Sequence, residues 1–214
     1  MNARLLTLAL LAISGCSGSL FESKTPAPQT YVISPAAGGE PAAPQLNVDV
    51  SVSQPSAAPG LNTDRILLLR DGRRLDYYNH AQWGAQTSRV MQYFVIASLQ
   101  NQNLFRSVTS DEVRTSAPYV LDLELRDFQA EYRQPGAPPT VRVSIVASVM
   151  RVHDRTLLAV IPVSAAVPAT EERMAMIVAA FEQASQQAAS ALGGRIIKAI
   201  QDAPADVSGP TAKL

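Results

Sequence analysis

The sequence predicts an α+β fold in which one twisted antiparallel sheet carries two helices packed on one face. Two segments have the apolar periodicity of helices, and the other periodic segments alternate as strands do. A set of strands with only two helices is most easily satisfied by one antiparallel sheet with both helices on one side. The chain has 214 residues and no internal repeat, which fits one domain.

The first periodic segments predict strands and a hairpin. Residues 31–34 form a short strand candidate, and a loop rich in alanine, glycine and proline follows over 35–44. Apolar residues then alternate with polar ones from Leu46 to Val52, which is typical of a half-buried strand. Asp71-Gly72 is a strong turn signal inside residues 66–78, which are therefore predicted to form a hairpin.

Residues 83–102 predict the first helix. The apolar side chains recur at spacings of three and four, as on one face of a helix. They are Val90, Met91, Phe94, Val95 and Leu99.

Three strands joined by short turns are predicted next. Alternation in residues 119–132 changes parity in the middle, which predicts a bulge or twist near Arg126 and Asp127. Residues 141–149 and 156–167 restore the period of two after their turns. The three segments predict an antiparallel meander.

The second helix is predicted to start after Pro168 and to reach about Ile200. Thr170 is the expected N-cap, because Glu171 and Glu172 would follow it at the positive end of the helix dipole. Its alanine-rich face allows close approach to a sheet. Gly193 and Gly194 should weaken the last turns, and residues 203–214 are expected to be a disordered tail.

The amino terminus has the layout of an export signal. Arg4 precedes an uncharged apolar stretch over residues 5–13, and small residues lead to Cys16. A helix needs about 20 apolar residues to cross a bilayer core, so this stretch is too short for a permanent anchor. Residues 1–15 are therefore predicted to be a signal peptide.

Ile13, Ser14, Gly15 and Cys16 resemble the lipobox of bacterial lipoproteins. The resemblance implies that diacylglycerol is attached to the Cys16 sulfur and that the new amino terminus is acylated, as with palmitate. More than one acyl chain gives stable membrane anchoring. The alternative is a plain secretory signal with an incidental cysteine. If Cys16 is lipidated, residues 16–30 are the lipidated terminus and a flexible spacer. Residues 31–202 are predicted to be the domain.

Charge and hydropathy exclude several classes of partner. Only Arg4 is charged within residues 1–15, so the exported chain has one basic residue fewer than acidic residues. Such a balance gives no electrostatic reason to expect nucleic acid. No second apolar run approaches membrane length without a charge or a proline, so the domain beyond its lipid anchor should be soluble.

Catalytic chemistry has few candidate residues. The chain has two histidines, His80 and His153, and Cys16 is its only cysteine, so no metal site or cofactor is predicted. Phosphate-loop and nucleophile-elbow motifs are absent, which excludes an ATPase. Each histidine has an aspartate nearby in sequence, and a lipid-anchored hydrolase is the alternative that uses them.

Tyr77, Tyr78 and Trp83 form an aromatic group between the hairpin and the first helix. Such a group can anchor a partner protein, because aromatic side chains dominate the energetics of interfaces. The alternative is that Trp83 is a core residue that closes the gap between hairpin and helix.

The chain resembles the auxiliary lipoproteins of ABC-type transport systems that accompany MCE-domain proteins in Gram-negative envelopes. The resemblance continues over most of the expected domain, including its alanine-rich last helix. It is carried by residues 59–66 (PGLNTDRI), 74–78 (RLDYY), Trp83, 103–108 (NLFRSV) and 119–128.

The resemblance implies a non-enzymatic, lipid-anchored accessory subunit that faces the periplasm. It would dock to the MCE-domain partner of a system that moves lipids or other hydrophobic molecules, and it leaves a homo-oligomer open. Ser17 stands where an inner-membrane retention signal would place aspartate, which favours the outer membrane. The alternative is a structural or assembly lipoprotein of another outer-membrane biogenesis pathway.

Overall fold

The computed structural model describes residues 27–41, 43–113, 116–134 and 136–203. Within them, nine strands and two helices follow one another along the chain. The strands before the first helix are β1 (Gln29–Tyr31), β2 (Leu46–Val52), β3 (Ser56–Ala57), β4 (Arg65–Arg70) and β5 (Arg74–Trp83). Helix α1 (Thr87–Asn101) precedes β6 (Phe105–Ser110), β7 (Tyr119–Tyr132), β8 (Thr140–Arg151), β9 (Thr156–Pro168) and helix α2 (Met174–Gln201).

Strand β7 organises the sheet because it is paired on both of its edges. Along one edge it pairs antiparallel with β8 over nearly its whole length, and β8 pairs antiparallel with β9. Along the other edge, β2, β3 and β4 lie one after another, each parallel to β7. The long ladders are antiparallel, and the predicted α+β fold and meander are confirmed.

The remaining strands widen the sheet from β2 and β4. Strand β6 pairs parallel with β2, β5 pairs antiparallel with β4, and β1 pairs parallel with β5. The predicted hairpin is therefore confirmed as β4 and β5. Asp71 (φ 54°) and Gly72 (φ 66°) at its turn both have left-handed backbone angles, which suit a tight hairpin turn.

The predicted bulge in β7 lies at Arg126. Leu125 pairs with Ile145, and Asp127 pairs with the preceding residue of β8, Ser144, so Arg126 has no opposite residue. The extra residue changes the parity of the strand. Consequently Phe128, after the bulge, faces the same buried side as Leu125 before it.

Both helices pack on one face of the sheet, as predicted. Helix α2 lies against β8 and β9, α1 lies against β6, and the helices also contact each other. A Cβ on Gly193 would clash with Oε1 of Gln102 and lie 2.8 Å from Cδ1 of Leu104. Glycine thus permits the close approach of α2 to the residues after α1, and α2 continues without a break through Gly194 to Gln201.

Several predicted boundaries were wrong. Strand β1 begins at Gln29, two residues before the predicted start, because it pairs with the end of β5. Helix α1 begins at Thr87 and not at Trp83, whose N–H donates to the carbonyl of Asp64 at 2.6 Å. Helix α2 begins at Met174 with Arg173 as its N-cap, so Thr170 does not cap it.

Two strands were not predicted, β3 and β6. Neither helix in the described part of the chain is long and apolar enough to cross a membrane. The predicted signal peptide and Cys16 lie outside the described residues, as do residues 204–214 of the predicted tail.

Candidate functional site

Strand β5 carries a bulge of four residues beside the aromatic group that was predicted from the sequence. Leu67 of β4 pairs with Tyr77, but Arg65, two residues earlier, pairs with Gln82. Residues 78–81 therefore oppose the single residue Ile66. Within the bulge, His80 has a φ of 57°, a left-handed backbone conformation that is uncommon for residues other than glycine, although histidine adopts it more often than most.

Tyr77 lies at the surface with an arginine on its ring. Its side chain is 43% exposed, although the ring is large and apolar. The guanidinium carbon of Arg65 lies 3.9 Å from the ring centroid, within the range of a cation–π contact. The pair presents a flat aromatic and cationic surface to solvent.

Tyr78 turns towards a second tyrosine from β7. Its hydroxyl donates to the hydroxyl of Tyr132 at 3.0 Å, and the guanidinium carbon of Arg70 lies 5.0 Å from the Tyr132 ring centroid. Burial, followed by the hydrogen bond to Tyr132, raises the pKa of Tyr78 far above its usual range. Burial also raises the pKa of Tyr132, and the negative charge of Glu172 adds to this effect. Both phenols are therefore neutral at physiological pH.

Two clefts border the bulge and share Tyr78 and His80. One has a volume of about 610 Å³ and also contains Tyr132, Glu172 and Ala27, the first described residue. The other has a volume of about 370 Å³ and is lined by Arg65 and Tyr77, among others. We call Arg65, Arg70, Tyr77, Tyr78, His80 and Tyr132 the bulge surface.

Trp83 does not belong to the bulge surface. Its side chain is 1% exposed, and its ring centroid lies 5.4 Å from that of Phe128 and 5.1 Å from that of Phe181. Its position on β5 points it towards α2, so the interpretation of Trp83 as a core residue fits the structure and direct contact with a partner does not. Its Nε1 atom has no hydrogen-bond partner among the described residues.

The aspartates beside the two histidines already have structural partners. Asp154, 3.7 Å from Nδ1 of His153, accepts hydrogen bonds from the Arg151 guanidinium at 2.9 Å and the Thr156 N–H at 3.1 Å. Arg151, followed by Thr156, lowers the pKa of Asp154 strongly. Asp76, four residues before His80, accepts the N–H of Tyr77 at 2.9 Å.

The described residues contain no group of three or more His, Cys, Asp or Glu side chains that could hold a metal ion. Sequence reasoning singled out Tyr77 and Tyr78 but missed Arg65, Arg70 and Tyr132. Tyr132 is 54 residues from Tyr78 along the chain, and only the parallel pairing of β4 with β7 brings it close.

Comparisons with known proteins agree with this fold. The family model of the ABC-type transport auxiliary lipoprotein component matches residues 31–193. A Xanthomonas campestris protein of the DUF330 family superposes with a TM-score of 0.73 at 24% identity, covering 81% of this chain and 98% of its own. A crystal structure of an uncharacterized protein gives a TM-score of 0.63 at 13% identity, covering 80% and 99%. The curated proteins include no match.

Proposed function

Because the chain belongs to the family of ABC-type transport auxiliary lipoprotein components, we propose that it is a non-enzymatic accessory subunit that docks to an MCE-domain partner. Acyl chains on Cys16 would hold it at a membrane, facing the periplasm, and Ser17 favours the outer membrane. The cargo of the system would be lipids or other hydrophobic molecules. The protein's own contribution is to hold a docking surface at a fixed place in the envelope.

The bulge surface is the observation that carries the docking proposal. Tyrosine and arginine are enriched at the energetic centres of protein interfaces, because they bury large areas and still form polar contacts. Tyr77 and Arg65 offer such a pair at the surface. Tyr78 and Tyr132, fixed by their mutual hydrogen bond, offer a rigid and uncharged floor beside it.

The position of the bulge surface also suits an anchored subunit. Ala27 lines one of its clefts, so the chain that leads back to Cys16 leaves the domain beside the proposed docking surface. An extended chain spans at most about 3.6 Å per residue. The bulge surface would therefore lie within about 40 Å of the acylated end of the chain.

The hydrogen bonds of the carboxylate beside His153 support a non-enzymatic role. A general acid or base needs a group that is free to exchange a proton near pH 7. The carboxylate of Asp154 instead accepts hydrogen bonds from Arg151 and from the Thr156 N–H, which lower its pKa, so it does not exchange a proton near pH 7.

Capture from envelope extracts tests this proposal, with the full-length lipoprotein as bait. Tyr77→Ala should reduce recovery of the MCE-domain protein at least about tenfold, the usual scale for loss of an interface hot spot. Tyr93→Ala is the matched control, since Tyr93 is also exposed and has Arg89 near its ring, but lies on α1. Equal recovery with both variants would reject the bulge surface. Recovery of outer-membrane assembly proteins without any MCE or ABC component would favour the assembly alternative.

A further inference from the structure

A third cleft lies on the helical side of the molecule, away from the bulge surface. It is bounded by the carboxyl end of α1, the middle of α2 and the segment before β2. Its volume is about 390 Å³, within the range of roughly 300–1,000 Å³ that small-molecule sites occupy. Nothing in the docking proposal uses this cleft.

Three amide side chains line the cleft, and each donates one N–H of its NH₂ group to a backbone carbonyl. A carbonyl oxygen can only accept a hydrogen bond, so the nitrogen of each amide must face it, which fixes the orientation of the amide. Nδ2 of Asn101 donates to Ala36 at 2.8 Å, Nε2 of Gln102 donates to Ala189 at 3.2 Å, and Nε2 of Gln186 donates to Ser34 at 3.0 Å.

The three amide oxygens therefore remain available as acceptors. None of the three accepts a hydrogen bond from a described residue. The side chains around the cleft thus offer three amide oxygens as acceptors, and one N–H of each amide is already engaged.

Ser98 adds a buried hydroxyl to this lining. Its residue is 7% exposed, and its Oγ atom has no hydrogen-bond partner among the described residues. A buried hydroxyl without a partner costs free energy, so such an atom at a cleft indicates a ligand or a water that would satisfy it.

Glu40 gives the cleft its charge. Among the described residues of the lining it is the only charged one, and it forms no ion pair with any of them. The rest of the lining is small or apolar, including Ala37 and Leu104. The cleft therefore combines one negative charge, several acceptors and an apolar wall.

We propose that this cleft binds a primary ammonium group, carried by a small amine or by an aminophospholipid headgroup. An ammonium group has three N–H donors and no acceptor, which complements the amide oxygens, the Ser98 hydroxyl and the Glu40 carboxylate. The carbon atoms next to it would lie against the apolar wall. A quaternary ammonium has the same charge but no N–H donor, so the site should reject it. This inference does not depend on the docking role.

Calorimetric titration of the full-length protein in a nonionic detergent tests the proposal. The probes are ethanolamine against choline, and dihexanoyl phosphatidylethanolamine against dihexanoyl phosphatidylcholine. We expect the primary amine of a pair to bind at least about tenfold more tightly, since a hydrogen bond to a charged group has roughly that effect. Binding of ethanolamine as strong as that of the lipid identifies a free amine as the ligand, and binding of the lipid alone identifies a headgroup; both support the site.

Variants separate this cleft from unspecific attraction of cations. Ser98→Ala and Glu40→Gln should each weaken binding about tenfold. Glu124→Gln is the control, because Glu124 is exposed on the sheet face opposite the helices and also carries a negative charge. Equal affinities for the primary and quaternary amines, no binding of either, or unchanged binding in the Ser98→Ala, Glu40→Gln double variant would overturn the proposal.

Discussion

Arg195 on α2 donates a hydrogen bond from Nη1 to the carbonyl oxygen of Pro162 at 2.9 Å, at the outer edge of the sheet. Strand β9 pairs only with β8, so its other edge is free among the described residues. Residues 156–168 contain no charged side chain. A free edge without charges is normally prone to pair with a strand of another molecule. Pro162 offers no N–H there, and Arg195 occupies its carbonyl. The pair therefore protects the middle of the edge.

Removal of both protections should promote association through β9. In the Pro162→Val, Arg195→Ala double variant, a new N–H and a free carbonyl would restore a continuous edge. We expect mass to increase with protein concentration beyond that of the unmodified protein, as measured by sedimentation velocity. Arg126→Ala controls for loss of an exposed arginine, since Arg126 lies at the bulge of β7. If the double variant and the control sediment alike, the edge is not protected by this pair.

The adjacent glycines of α2 should respond oppositely to alanine. Gly193→Ala would force Gln102 away from Ala189 and displace Leu104, so we expect a loss of about 1–3 kcal/mol in the free energy of unfolding. A Cβ on Gly194 meets nothing within 4 Å. Gly194→Ala should therefore stabilise the helix by about 0.5–1 kcal/mol. Urea denaturation measures both values, and effects of the same sign would contradict the close packing at Gly193.

Periodicity predicted the elements whose pattern is local. The meander, the hairpin and the bulge of β7 follow from alternation and turn residues that are close in sequence. Strand β6 was missed because it pairs parallel with β2, a partner about 58 residues away, and its own residues alternate weakly. Nothing within residues 105–110 alone requires an extended strand.

Only part of the candidate site could be predicted, because the rest depends on pairing between strands that are distant in sequence. Tyr77 and Trp83 are six residues apart and look equivalent in the sequence, but the four-residue bulge between them changes which side of the sheet each faces. This four-residue bulge in β5 depends on the pairing of β5 with both β1 and β4. Only the tertiary structure could therefore separate the exposed tyrosine from the core tryptophan.

Trp83 should affect stability and not docking. Trp83→Phe removes part of the packing against Phe128 and Phe181, and we expect a loss of about 1–3 kcal/mol in the free energy of unfolding. At a temperature where the variant remains folded, its recovery of envelope partners should equal that of the unmodified protein. A stable Trp83→Phe variant with weak capture would show instead that Trp83 acts at the interface.

Asp49 should make stability sensitive to acid. Hydrogen bonds from Arg106 and then Ser107 lower the pKa of Asp49 to about 2 from 3.8. A lowered pKa means that the folded state favours the charged form, so this contribution is complete above about pH 4 and is lost as pH falls towards 2. Asp49→Asn should therefore be less stable than the unmodified protein at neutral pH. The difference in stability should shrink as the pH falls from about 4 to about 2. Thermal unfolding across this range measures it; a difference that does not change with pH would contradict the ion pair.

Replacement of Cys16 tests whether the lipid anchor is needed for transport in addition to the bulge surface. Cys16→Ala removes the sulfur that would carry diacylglycerol, and more than one acyl chain is what gives stable membrane attachment. We expect a folded protein that no longer partitions with membranes and no longer incorporates labelled palmitate. Because the bulge surface lies in the folded domain, the variant should still capture the partner in detergent extracts while failing to support transport in cells. Unchanged membrane partitioning with retained label would refute lipidation at Cys16, whereas normal transport by an unanchored variant would show that transport does not require the anchor.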